Sequence, residues 1–145
     1  MGTHPGRRRA GVDKEDYISG GDMSGDITGG TIDCRGYGWI TFAGTIDATD
    51  DPQGQIEFWG SRDGTSWTPF PLDVGTPQIR EADETAAAGV SHPGAENHEI
   101  DIDDPANDHV FSVVIRKPAP YMRLKYDADA GGNTSGLNVG YTLDP

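Results

Sequence analysis

The apolar residues of this chain recur, wherever they recur regularly, at every second position. Residues 37–46 give the clearest example, and residues 99–103 and 121–126 repeat it. Successive side chains of a β-strand point to opposite faces, so this period is typical of strands that bury one face and expose the other. The residues expected to point inward are Ile40, Phe42, Ile46, Met122, Leu124 and Tyr126. The sequence therefore predicts an all-β fold.

Glycine and proline divide these apolar runs into short pieces. The chain has 145 residues, of which 21 are Gly and 10 are Pro, so long helices and coiled-coil heptads are excluded. Asp63-Gly64 lies between residues 55–60 and 67–72, and Asp-Gly is a strong signal for a tight hairpin turn. About eight strands result, with a turn roughly every 8–14 residues, which is the pattern of a single β-sandwich or jelly-roll-like domain.

Two segments depart from simple alternation. In residues 109–116 apolar residues occupy successive positions, which predicts a strand buried on both faces. Residues 73–98 are poor in large apolar residues; we expect a short strand at 74–80 and at most one helical turn at the alanine run 83–88. This long loop is a candidate contact region, because long loops in compact domains are often functional.

The first 21 residues show neither the helical period nor the strand period. They contain the basic run Arg7, Arg8 and Arg9 and one apolar pair, Tyr17 and Ile18. We therefore expect an extended arm at residues 1–21, attached to a sandwich domain at residues 22–145. The three arginines and the apolar pair are the residues predicted to contact a neighbouring subunit or partner.

The charge of the chain is strongly negative and unevenly distributed. With 24 acids and 11 bases the formal net charge is −13, and because residues 1–12 hold three arginines and no acid, the remainder carries −16. Such a body repels nucleic acid and anionic lipid, so neither is an expected partner. No run of about 18 apolar residues is present, and no apolar segment of a secretory signal follows Arg9. We expect a protein made in the cytoplasm.

No group of residues predicts catalysis, a metal or a cofactor. Cys34 is the single cysteine, so it has no disulfide partner in the chain, and its strand-like surroundings predict a buried apolar role. The histidines are separated from one another and from other ligand types, and we expect surface positions for His4, His92, His98 and His109. The expected protein is not an enzyme.

Two acidic clusters and three tryptophans are the remaining binding candidates. Asp-rich loops can bind Ca²⁺, but neither cluster follows the EF-hand order, and we interpret both as solvated loops; they are Asp47, Asp50 and Asp51, and Asp101, Asp103, Asp104 and Asp108. The tryptophans form a possible aromatic binding face that would stack on a sugar or be covered by a subunit; they are Trp39, Trp59 and Trp67.

Two stretches of the predicted sandwich resemble known virion proteins. The run Gly54–Trp67, GQIEFWGSRDGTSW, followed later by Pro120–Tyr126, PYMRLKY, is similar to a hairpin-and-strand pattern of small β-sandwich virion proteins of tailed phages. These include the head decoration, or cement, proteins that sit on the assembled capsid. The resemblance implies a non-enzymatic structural protein on the capsid exterior, with the major capsid protein as its partner and a homotrimer as its assembly.

A second resemblance points to sugar binding. A strand ending in Ser-x-Asp-Gly-x-x-Trp with a later Tyr-x-Arg strand occurs in discoidin-like carbohydrate-binding modules, although their cysteines are missing here. It implies a module of a phage tail or fibre that binds through the tryptophans. Capsid decoration is the leading expectation, because a basic arm on an acidic body suits reaching across a neighbouring subunit, and weak contacts repeated on a lattice add to strong attachment.

Overall fold

The structure is a computed structural model in which the described residues form twelve β-strands. The described residues are 11–47, 53–72, 78–81, 90–91, 97–103, 108–129 and 136–145. The strands are β1 (Val12–Asp22), β2 (Ile27–Thr28), β3 (Ile32–Asp33), β4 (Trp39–Asp47), β5 (Gln53–Ser61), β6 (Trp67–Pro69), β7 (Gln78–Glu81), β8 (Val90–Ser91), β9 (Glu99–Asp103), β10 (His109–Arg116), β11 (Tyr121–Ala128) and β12 (Gly136–Asp144). The all-β prediction is confirmed. Among these residues there is no helix of the length and apolar character that crossing a membrane requires.

The strands form two antiparallel sheets. Sheet A has the order β1-β12-β4-β10-β7, and sheet B has the order β2-β11-β5-β9-β8, with β3 also paired to β11 and β6 to β5. From β9 onward the chain changes sheet at every connection, so that β10 and β12 lie in sheet A and β11 lies in sheet B. This arrangement is the β-sandwich predicted from the turn spacing.

The core lies between the two sheets and is built from the inward positions of the alternating strands. The six residues predicted to point inward from β4 and β11 are all 0% exposed. Across the two layers, the rings of Phe42 in β4 and Phe58 in β5 meet with their centroids 5.3 Å apart. One hydrophobic cluster therefore joins both sheets.

Strand β10 is buried on one face only, and the prediction of two buried faces is wrong. Phe111, Val113 and Ile115 point into the core, whereas Val110 and Val114 are 40% and 39% exposed on the outer face of sheet A. Valine suits the pleat of a strand on either face, so apolar composition by itself does not tell an inward position from an outward one.

The prediction that the arm extends to residue 21 is wrong. Residues 12–21 were expected to belong to it, but they lie in β1, an edge strand of sheet A that pairs with β12 from Val12 opposite Leu143 to Asp22 opposite Gly136. Two register shifts interrupt this pairing, one on each side of Ile18. Such bulges break the period of two, which is why the sequence of β1 does not read as a strand. Residues 1–10 lie outside the described residues.

The predicted hairpin between β5 and β6 is confirmed. Ser61 pairs with Trp67 across it, and Gly64 adopts a φ of 80°, a left-handed conformation that glycine tolerates best. The Asp63 carboxylate accepts hydrogen bonds from the backbone N–H groups of Thr65 and Ser66, both at 2.9 Å. These bonds to the charged form hold the pKa of Asp63 well below its usual range.

The long segment between β6 and β9 contributes one short strand to each sheet. β7 pairs with β10 in sheet A, and β8 pairs with β9 in sheet B. The first of these overlaps the short strand predicted at 74–80. The predicted helical turn at 83–88 lies outside the described residues.

Candidate functional site

The outer face of sheet B carries a dense group of charged, imidazole and indole side chains. We call it the tryptophan face; its members are Glu57, Trp59, Trp67, His98, Glu99, Arg123 and Lys125. The pairing register brings them together, since Glu99 of β9 and Lys125 of β11 both lie opposite Glu57 of the central strand β5. Arg123 lies opposite Trp59 in the next position along β11.

Both tryptophans of this face are in contact with cations. The Lys125 ammonium lies 5.0 Å from the ring centroid of Trp59, and the Arg123 guanidinium carbon lies 4.3 Å from that of Trp67. The Trp59 indole N–H also donates to Glu57 Oε1 at 2.9 Å. A cation therefore packs against one face of each indole ring. A cation–π contact of this kind stabilises by about 0.5–2 kcal/mol, depending on exposure.

Next to Trp59 lies a buried group of one imidazole and two carboxylates. Glu57 and His98 are each 9% exposed and Glu99 is 7% exposed, although all three belong to the outer face. One ligand atom from each lies within 4.8 Å of the other two. The His98 ring meets the edge of Trp59 at a centroid distance of 5.6 Å. The combination of nitrogen and carboxylate donors is one that metal ions bind.

Backbone hydrogen bonds hold the turn that presents His98. The Phe58 N–H of β5 donates to the His98 carbonyl at 2.9 Å, and the Leu72 N–H donates to the Asn97 carbonyl at 2.8 Å. The expectation of a surface position is therefore wrong for His98. It is also wrong for His109, which is buried and whose two ring nitrogens find no hydrogen-bond partner within the described ranges.

We call Glu57, His98 and Glu99 the acid–imidazole group. Sequence reasoning missed it because its members are far apart in the chain. Glu57 lies in β5, whereas His98 lies in the turn before β9 and Glu99 begins β9, and only the β5–β9 register brings them together. A local signal did exist: Glu57 and Glu99 each adjoin an inward isoleucine, which places both carboxylates on the outer face of a strand. That signal does not say which strands are neighbours.

The outer face of sheet A carries no charged side chain in the middle of strands β12, β4 and β10, although Asp13, Lys14 and Glu15 of the edge strand β1 line a depression there beside Thr41 and Ala43. We call it the uncharged face; across β12, β4 and β10 it presents Thr41, Ala43, Thr45, Val110, Ser112, Val114, Gly140 and Thr142. Trp39, 41% exposed, lies at one end in a shallow depression of about 410 Å³ with Thr41 and Val114. On these three strands the charged residues of this face lie at the strand ends, as Asp47, Arg116 and Asp144 do.

The three tryptophans predicted as a single aromatic face are divided between the two sheets. Trp59 and Trp67 share the tryptophan face, whereas Trp39 lies on the uncharged face, on the opposite side of the sandwich. Trp39 and Trp59 point away from the inward Phe42 and Phe58.

The residues predicted as arm contacts are also divided. Arg7, Arg8 and Arg9 lie outside the described residues. Ile18 is buried in the core, and the Tyr17 hydroxyl donates to the Gly30 carbonyl at 2.6 Å while accepting from the Leu124 N–H at 3.3 Å. Ile18 is therefore used within the core and is corrected as a subunit contact, whereas contact through the partly exposed Tyr17 stays a prediction.

The acidic clusters give no site within the described ranges. Asp50, Asp51 and Asp104 fall outside them, and no group with metal-ligand spacing found there includes Asp47, Asp101 or Asp108. Cys34 is buried as predicted.

No model of a known protein family matches this sequence. A search of curated proteins found no match either. Function is therefore inferred from the two faces of the sandwich.

Proposed function

We propose that the protein is a non-enzymatic structural protein of a virus particle that decorates and stabilises the outer surface of a phage capsid. The observation that carries the proposal is the uncharged face of sheet A. On a chain with a net charge of −13, three adjacent strands with exposed Trp39, Val110 and Val114 and no charged side chain away from their ends are suited to being covered by another protein.

A capsid lattice fits the properties of this face. A single contact through threonines, valines and one tryptophan is modest, but a homotrimer that repeats it on a symmetric lattice gains effective concentration. A protein that binds the major capsid protein only in the assembled shell stabilises that shell by mass action. The resemblance of residues 54–67 and 120–126 to phage decoration proteins favours the same assignment.

We assign a second contact to the basic run of the N-terminal segment. Arg7, Arg8 and Arg9 are opposite in sign to the acidic body, so they would be attracted to acidic patches on a neighbouring subunit. Contact by the uncharged face and contact by the arginines respond oppositely to salt. Salt screens the repulsion between acidic bodies, so it strengthens contact by the uncharged face. It also screens the attraction of the arginines to acidic patches, so it weakens contact by the arginines.

The test is co-sedimentation with shells assembled from the major capsid protein of the same genome, at low and high salt. Val114→Glu places a charge on the uncharged face and should weaken attachment at least about tenfold, as expected for an unpaired charge at an interface. Val12→Glu is the matched control, because Val12 is equally exposed, at 40%, but lies outside the uncharged face. Arg7→Gln, Arg8→Gln and Arg9→Gln together isolate the basic contact.

Two results would overturn the proposal. One is a wild-type protein that stays monomeric and fails to sediment with shells at every salt concentration. The other is attachment that Val114→Glu and Val12→Glu reduce equally.

Sugar binding is the second candidate, and the tryptophan face favours it. Trp59 and Trp67 lie on one face with the hydrogen-bonding side chains of Arg123 and Glu57, and an indole beside such groups suits a sugar ring. Trp67→Ala should abolish a fluorescence response to polysaccharide, whereas Trp39→Ala, on the other sheet, should leave it intact. No response in the wild-type protein would exclude this candidate.

A further inference from the structure

The acid–imidazole group lies on the sheet opposite the proposed docking face, and capsid decoration makes no use of it. We propose that Glu57, His98 and Glu99 bind a divalent transition-metal ion of the Zn²⁺ class. The ion would fasten β9 and its preceding turn to the central strand β5. This site is independent of decoration, so either proposal can fail while the other stands.

The donor set matches the chemistry of such ions. One imidazole nitrogen and two carboxylates are ligands that Zn²⁺ binds, and three protein donors leave one position of a tetrahedral site to water. Zinc bonds of about 2.0–2.2 Å require donors about 3.3 Å apart. Because the three ligand atoms already lie within 4.8 Å of one another, small side-chain rotations close the site.

The group places two carboxylates next to each other. Glu57 and Glu99 lie directly opposite each other on adjacent strands, and each is more than nine-tenths buried. A divalent cation bound between two such carboxylates would reduce the repulsion between them. In the part of the chain that the structure describes, no lysine or arginine forms a salt bridge with Glu57, and the Lys125 ammonium lies over the Trp59 ring instead.

His98 supplies the nitrogen donor. The residue is 9% exposed, and its backbone carbonyl accepts a hydrogen bond from the Phe58 N–H. One of its ring nitrogens lies within 4.8 Å of a carboxylate oxygen of Glu57 and of Glu99, and that nitrogen is available as a metal ligand.

The surroundings fix the ligands in place. The Trp59 N–H binds Glu57 Oε1 and leaves the second carboxylate oxygen for the ion. Outer partners of this kind orient metal ligands and commonly change affinity about 10–100-fold. Ca²⁺ fits poorly, because it requires about six to eight oxygen ligands and does not favour imidazole.

The experiment is calorimetric titration of the full chain, free of any polyhistidine tag, with Zn²⁺ and separately with Ca²⁺. We expect one Zn²⁺ per chain, no saturable Ca²⁺ binding, and a rise in unfolding temperature with Zn²⁺ alone. Glu57→Gln and His98→Phe should each weaken Zn²⁺ binding at least about 100-fold, and Trp59→Phe about 10–100-fold. His98→Phe retains an aromatic ring against Trp59.

Matched controls separate this site from incidental binding. Asp101→Asn removes an acid from the same face of β9, and His92→Gln removes a histidine of the preceding segment; both should bind Zn²⁺ as the wild type does.

Without metal, Glu57→Gln should unfold at a temperature no lower than the wild type does, since it removes one of two opposed carboxylates. X-ray absorption of the Zn²⁺-loaded wild type should show one imidazole and otherwise oxygen ligands, a result that depends on no variant. Absence of stoichiometric Zn²⁺ binding, or binding that survives His98→Phe, would refute the site.

Discussion

Cys34 shows how strongly burial controls chemistry at a single residue. It is 2% exposed, and burial raises the pKa of its thiol to about 12, with the neighbouring Asp33 carboxylate adding to the effect. Because the thiolate is the reactive form, its fraction at pH 8 is lower than that of a free thiol by a factor on the order of 1,000. We predict that a disulfide reagent labels Cys34 slowly in the native protein and quickly in denaturant. Equal rates in the two states would contradict the assigned burial.

Gly44 in β4 is a position where a single methyl group has no room. An added Cβ would meet the Asn138 carbonyl oxygen and lie 2.7 Å from Phe111 Cε1. We predict that Gly44→Ala lowers the free energy of unfolding by about 1–3 kcal/mol, as overpacking of a core does. Gly136→Ala is the control, because its nearest added contact is Asp47 Cβ at 3.7 Å. The test is chemical denaturation, and equal losses in the two variants would argue against steric conflict.

At the scale of elements, β1 is joined to both sheets. Its backbone pairs with β12 in sheet A, while the Tyr17 hydroxyl reaches Gly30 and Leu124 on the side of sheet B. We predict that Tyr17→Phe lowers the free energy of unfolding by about 1–2 kcal/mol, because it leaves two backbone groups without their partner. Tyr121→Phe serves as the control, since the Tyr121 hydroxyl makes no hydrogen bond within the described residues. Urea unfolding at neutral pH measures both free energies. A Tyr17→Phe variant as stable as the wild type would show that the hydroxyl does not stabilise the attachment of β1.

Local rules predicted the strands but not their neighbours. The period of two identified the inward faces of β4 and β11, and Asp63-Gly64 identified the hairpin, because both depend on residues close in sequence. The strand β1 was missed because its bulges break that period. The pairing of Glu57 with Glu99 could not be predicted, since register between distant strands follows from the whole hydrophobic core.

At the scale of the whole molecule, buried tyrosines make stability depend on alkaline pH. Burial raises the pKa of Tyr17 and of Tyr126 to about 12, from an ordinary value of 10.0. A folded-state pKa above the unfolded value contributes stability that is fully present below the unfolded pKa and is lost as the pH rises towards the folded one. With Cys34, whose ordinary value is 9.0, the window opens near pH 9 and extends to about pH 12.

We therefore predict a free energy of unfolding that is constant between pH 7 and 8.5 and falls steadily from about pH 9 to pH 12. Denaturant titrations at pH 8, 10 and 11 measure it. Tyr17→Phe should show a shallower fall than the wild type, because one of the titrating groups is gone. A profile that stays flat to pH 11 would contradict the burial of these groups.

The pairing of β1 with β12 has a mechanical consequence. The two strands run antiparallel at the edge of sheet A, and Val12 and Leu143 face each other at one end of their ladder. A force that pulls these two residues apart acts across the ladder, so its hydrogen bonds break one pair at a time instead of sharing the load. The hydrogen bonds that join β1 to the side of sheet B are those of the Tyr17 hydroxyl, five residues along β1. An optical-tweezers measurement with handles at residues 12 and 143 should therefore show β1 peeling away at low force, followed by a distinct rupture that Tyr17→Phe weakens.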